Sequence, residues 1–390
     1  MKTKYLTYLS CFTVLIFAMV LTVISPLIME IARSFELDIG GVGIIFTYTF
    51  IGLTLFVPVG GYIADRIGKK KVLNIAVAGI SLALTAFFTA SDFLTLCIAS
   101  IFIGGFGGII ESMASAFLHD INPEKPEYYV NMVQIFFGIG AVIGPLAVGQ
   151  AILSGFTWRN CYAVLTLVMA VVALIFIFSF YDEQRTKANI GIKKIVKPNI
   201  KPMELIKNKY FILLCLSMFF YTGSEVGAWG WMCTYLETGF MFTADKSTLA
   251  VSLFWIALTV GRVLCGMLTL KFKPVKIVIM LAFSSAIFTL LSAFVRSDFG
   301  IYFAVIAMGF AFSSQYPLIV SYAGNLFKSS TGTVFSLMVA CSGVGNMLVP
   351  YLMGLTGEAV GMAASMIIPA VLFSFTGFIF IYLNKTKNAV

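Results

Sequence analysis

The chain has one histidine, His119, in 390 residues, and only 11% of its residues are charged. Its seven cysteines form no CxxC pair and all fall in apolar stretches. A lone histidine supplies no Ser/His/Asp or Cys/His set, so an enzyme is not expected. The same scarcity argues against a metal cluster or a disulfide framework. No phosphate-binding Gly-Lys-Ser/Thr loop is present, so ATP is not expected to drive this protein and no cofactor is expected.

Apolar residues fill the space that charge leaves. They make up 60% of the chain, with a mean hydropathy of +0.99. Too few polar residues remain to cover a soluble protein of this size. Runs of about 20 apolar residues recur along the whole length, as bilayer-spanning helices require. They fall roughly at 5–29, 39–64, 72–91, 94–119, 128–153, 159–181, 210–237, 247–270, 275–295, 298–324, 330–355 and 359–383. The pattern predicts an all-α membrane protein with twelve transmembrane helices. The first run is too long for a signal-peptide core and lacks a small-residue cleavage site.

A net charge of +9 invites a nucleic-acid reading, which the distribution opposes. All but five of the 26 Lys and Arg lie at the termini or in the loops after even-numbered spans. The exceptions are Arg33, Arg159, Lys246 and Arg296 in the opposite loops and Arg262 inside a span. This bias predicts a multi-pass cell-membrane protein with both termini cytoplasmic, whose surroundings are the lipid bilayer and not nucleic acid.

The longest interruption, "DEQRTKANIGIKKIVKPNIKPMELIKNK" at 182–209, holds eight Lys/Arg and two Pro. It predicts a cytoplasmic basic linker between six-helix bundles at 1–181 and 210–390. Gly138, Gly140, Pro145 and Gly149 recur as Gly343, Gly345, Pro350 and Gly354, an offset of 205. The same offset sets Gly61 on Gly266 and Gly104 on Gly309. The halves read as parallel, pseudo-symmetric repeats that rock about a central site.

Between spans 2 and 3 stands "GGYIADRIGKKKV". Gly61, Asp65, Arg66, Gly68, Lys69 and Lys70 match G-x-x-x-D-R-x-G-[RK]-[RK], the signature of the major facilitator superfamily, which the chain resembles. The resemblance implies a conformational switch here. Gly61 would permit close helix contact and Asp65 a charged hydrogen bond to a neighbouring span, with the lysines facing the cytoplasm. In span 7, "YTGSEVGAWGWMCTYL" resembles the fucose:proton symporter family through Tyr221, Gly223, Glu225, Val226 and Trp229. That implies a sugar as solute and a proton as coupling ion. The acidic residue which that family carries in span 1 has no counterpart here.

A carboxylate inside hydrocarbon is costly and therefore informative. Glu225 lies about 22 Å along span 7, taking 1.5 Å per residue, amid Gly223, Gly227 and Gly230, which would loosen the helix around it. A carboxyl whose protonation follows the side from which water arrives is a coupling device. Glu111 in span 4 shares a helical face with Gly104, Gly108, Ser115 and His119, so it reads as a second proton or cation site. Arg262 shares a face with Trp255, Thr259 and Gly266. It reads as an arginine snorkelling toward the phosphate layer, within the switch, or as counter-ion to Glu111 or Glu225. Asn131, Gln134, Gln315, Tyr316 and Asn346 are candidate contacts for a hydroxylated solute, since hydrocarbon penalises an idle amide. Tyr221 and Trp229 would cover its apolar faces. The expectation is a monomeric secondary transporter that moves a small polyhydroxylated solute, coupled to a proton or sodium ion. A drug or metabolite exporter remains open, because "GIGAVIGPLAVG" in span 5 resembles an antiporter motif.

Overall fold

A computed structural model describes residues 2–122, 126–179, 205, 207–269, 271–295, 297–327 and 331–387; the side chains of Asp65, His119 and Asn131 fall outside the description. Most of the basic stretch expected at 182–209 lies outside it too. Among the described residues there are helices and no strands.

Twelve helices are long and apolar enough to cross a membrane. Spans 1 to 6 are Lys4–Thr22, Ile39–Ala64, Lys69–Phe88, Phe93–Leu118, Met132–Leu153 and Trp158–Phe178. Spans 7 to 12 are Lys209–Gly230, Ala244–Leu268, Pro274–Phe294, Asp298–Leu326, Leu337–Val360 and Met362–Thr386. Side chains close their ends locally. Asp92 accepts from the Thr95 N–H at 2.8 Å, Thr157 and Asn160 form a capping box, and Asn208 accepts from the Tyr210 N–H at 2.9 Å. Within the spans, hydroxyls such as Thr13, Ser100, Thr166 and Thr222 return their protons to the carbonyl four residues earlier. That satisfies them where no water is at hand.

The chain forms two compact units. The first holds Met1–Ile31 and Tyr48–Val196, the second Ala32–Thr47 and Lys197–Val390. The strap Ala32–Thr47, which includes the first residues of span 2, thus joins the second unit although span 1 and the rest of span 2 belong to the first. Its attachment is specific. The Gly40 N–H donates to Glu358 Oε2 at 3.1 Å, Thr47 Oγ1 donates to the Met347 carbonyl at 3.0 Å, and Phe46 packs edge-on against Trp231.

Inside each unit the packing repeats at the offset of 205. A Cβ on Gly104 would lie 1.8 Å from the Thr49 carbonyl oxygen, and one on Gly309 would lie 2.4 Å from the Phe254 carbonyl oxygen. A Cβ on Gly140 would lie 2.1 Å from the Leu15 carbonyl oxygen, and one on Gly345 would lie 2.3 Å from that of Phe219. Only glycine lets backbones approach so closely. The glycine-proline stretch in span 5 is therefore matched by equivalent packing in span 11.

Candidate functional site

In the second unit, spans 7, 8 and 10 bring polar groups together. Span 10 is two helices, Asp298–Phe312 and Gln315–Leu326, joined by a turn at Ser313 and Ser314. The cause is in the sequence. Pro317 has no N–H to offer the carbonyl four residues back, that of Ser313. Arg262 of span 8 takes that carbonyl instead, its Nε donating at 3.1 Å. The Phe312 carbonyl accepts from Tyr221 Oη of span 7 at 3.0 Å. Tyr221 is fully buried, and the carboxyl of Glu225, one turn further along the helix, is close enough to its hydroxyl to act on it. The charge of Arg262 acts on both Glu225 and Tyr221, and Tyr316 is close enough to act on Tyr221.

The result is a polar cluster at the break: Tyr221 and Arg262 hold two backbone carbonyls, with Glu225 and Tyr316 beside them. A phenol has one proton, and Tyr221 faces two acceptors. Arg262 ties span 8 to the break in span 10. Span 7 stays helical to Gly230 through the three glycines near Glu225. The glycines admit neighbours. A Cβ on Gly223 would meet the Gly345 carbonyl oxygen at 2.6 Å, one on Gly227 the Met353 sulfur at 2.4 Å, and one on Gly230 the Phe46 ring at 2.8 Å.

Other expected contacts stand apart. Gln315 is completely buried against span 9, its Nε2 donating to Ser285 Oγ at 2.8 Å and to the Ala311 carbonyl at 3.1 Å. It lies just past the break, and its Oε1 has no partner among the described residues. Trp229 is 2% exposed, with ring centroids 6.0 Å from Trp255 and 6.3 Å from Phe46, so neighbouring rings already cover it. Asn346 is buried on span 11, and its Oδ1 has no partner among the described residues. In the first unit Gln134 and Glu111 are partly buried, and the Glu111 carbonyl accepts from Ser115 Oγ at 3.0 Å. The side chain of Asn131 lies outside the described residues.

The loop between spans 2 and 3 departs from expectation. Gly68 has φ +98°, a conformation that favours glycine. Lys69 is paired with Asp120 at the end of span 4, at 2.6 Å. Lys70 is buried, donating to the Phe176 carbonyl at 3.4 Å and to the Ser179 carbonyl. It satisfies the carbonyl end of span 6 instead of facing the cytoplasm. Arg66 lies over the Tyr62 ring, 4.3 Å from its centroid. A Cβ on Gly61 would meet nothing within 4 Å among the described residues. The side chain of Asp65 lies outside the description. Sequence reasoning missed Asp120, Lys70 as a cap and the break itself. Pro317, four residues past Ser313, was the signal for the last.

Twelve apolar helices in two repeats define a multi-pass membrane protein. The chain belongs to the Major Facilitator Superfamily, whose family model matches residues 10–244 and 214–389. It is 22% identical over 347 residues to the protein TsgA homolog of Buchnera aphidicola subsp. Schizaphis graminum, covering 88% of this chain and 86% of that protein. It is 19% identical over 342 residues to the glucose/mannose transporter GlcP of Bacillus subtilis, covering 85% and 82%. Among solved structures, the E. coli fucose:proton symporter FucP superposes with a TM-score of 0.64 at 18% identity, covering 98% of this chain and 99% of that one.

Proposed function

We propose that this chain is a monomeric secondary transporter of the cell membrane, with cytoplasmic termini, that carries a sugar by alternating access coupled to a proton. One observation carries the coupling: Tyr221, one turn from Glu225 on span 7, is hydrogen-bonded to the break in span 10. Protonated Glu225 donates to Tyr221 Oη, and Tyr221 then donates to the Phe312 carbonyl. The chain of donors is complete and the break is held. Ionised Glu225 takes the phenol proton for itself, so the Phe312 carbonyl is left without a donor. The carboxylate also draws Arg262 away from the Ser313 carbonyl. Both restraints on span 10 weaken together. An unpartnered buried carbonyl costs roughly 1–3 kcal/mol, enough to shift a two-state equilibrium by about five- to 160-fold.

The sugar reading rests on the span 7 pattern and on the printed activities of the glucose/mannose and fucose relatives. Asn346 and Tyr316 are the proposed contacts in the second unit, with Asn131, Gln134 and Glu111 in the first. Glu111 is the proposed second proton site. The switch residues are Gly61, Asp65, Arg66, Gly68 and Arg262.

Proteoliposomes loaded with imposed pH or sodium gradients, and given labelled glucose, mannose or fucose, test this. A glutamine at position 225 donates to Tyr221 as the protonated acid does but releases no proton. Glu225→Gln should therefore lose gradient-driven accumulation at least a hundredfold while sugar exchange persists. Accumulation that survives with its pH dependence unchanged would make Glu225 structural.

A further inference from the structure

The back of span 7 carries a different chemistry. Leu216 precedes Glu225 by nine residues, and at about 100° per residue the two point to opposite sides of the helix. On Leu216's side a groove of about 460 Å³ runs between spans 7 and 11, lined by apolar atoms. Its size falls within the roughly 300–1,000 Å³ of ligand pockets. Cys215 and Phe211 form its floor, and Leu216 and Val344 its exposed rim, at 40% and 44%. Span 11 continues the rim as an aliphatic stripe of Val344, Leu348, Leu352 and Leu355, all exposed. A stripe with no polar atom along the length of a span fits hydrocarbon and not a water-filled path.

Two lysines stand at the start of span 7, beyond the groove's lining, and the Lys209 ammonium lies 5.1 Å from the centroid of the Tyr210 ring. Lys209 begins span 7 and lies seven residues before Leu216, on the same helical face. Lys207 stands in the turn just before it, and both are exposed. Under the orientation proposed above, these lysines lie at the cytoplasmic leaflet, where anionic headgroups are found. We infer that the groove binds one anionic phospholipid, with an acyl chain between spans 7 and 11 and its phosphate at Lys207 and Lys209.

The groove contains its own reporter. Six of the seven cysteines are buried, and the seventh, Cys341, lies in its wall. Purified, delipidated full-length protein would be supplemented with dioleoylphosphatidylglycerol, dioleoylphosphatidylcholine or oleate. N-ethylmaleimide modification of Cys341 is then followed by peptide mass spectrometry, and retained lipid is counted by native mass spectrometry. Each lysine at an anionic surface contributes about fivefold in binding. Phosphatidylglycerol should slow Cys341 modification at least fivefold relative to phosphatidylcholine, with one molecule retained. A Lys207→Gln, Lys209→Gln double variant should lose both effects while melting like the parent protein without lipid. Equal protection by phosphatidylcholine or oleate, protection that persists in the double variant, or no retained phosphatidylglycerol would each overturn the assignment. None of these readouts depends on transport, so a wrong solute leaves them untouched.

Discussion

Position 225 is a glutamate, and its counterpart 205 residues earlier is Val20, which is 2% exposed. Tyr221 corresponds to Ile16, Arg262 to Val57 and Ser313 to Gly108. Where span 10 breaks at Ser313 and Ser314, span 4 runs as one helix from Phe93 to Ile121. Yet Gly104 and Gly309 approach equivalent carbonyls, those of Thr49 and Phe254. The repeats share their packing and differ in their polar chemistry. Helix contacts follow from small residues at fixed spacing, whereas a polar group needs several particular side chains and a released backbone acceptor. The two kinds of feature can therefore diverge independently within one repeated frame.

The shared part of that comparison breaks first. Gly104→Leu and Gly309→Leu should each abolish folded, monodisperse protein on size-exclusion chromatography, because a side chain there must displace backbone. Recovery of one but not the other would show the contacts to be unequal. The unshared part should yield a smaller effect. Tyr221→Phe removes the donor to the Phe312 carbonyl and should lower thermal stability by roughly 1–3 kcal/mol, while Ile16→Ala in the first repeat removes only packing. A sugar-accumulation assay should then show the Tyr221 variant losing pH dependence and the Ile16 variant keeping it. The smallest effects belong to the loop between spans 2 and 3. Gly68→Ala should cost roughly 1–2 kcal/mol at its positive φ, and Gly61→Ala almost nothing. Equal losses at both would mean that Gly61 meets a neighbour in the folded protein.

The twelve spans were legible because hydrocarbon demands long apolar runs, and the repeat because glycine and proline record where backbones meet. Glu225 was legible by its cost. The direction each polar side chain takes was not. Gln315 has the same residue type and setting as a solute contact, but the turn before it sends its amide to Ser285. Trp229 was one aromatic among many, and nothing in span 7 announced that Phe46 would cover it. Lys70 looked like a loop charge because the carbonyls it caps belong to span 6, more than 100 residues away.

The strap Ala32–Thr47 bears on how such a protein can be taken apart. The covalent chain passes between the two units after Ile31, again after Thr47, and a third time at the long basic stretch. A hybrid made by joining the first half of one relative to the second half of another at residue 182 would seat a foreign strap on a surface that Glu358, Met347 and Trp231 shape for this one. The unit of exchange is a discontinuous module, and residues 32–47 must travel with residues 197–390.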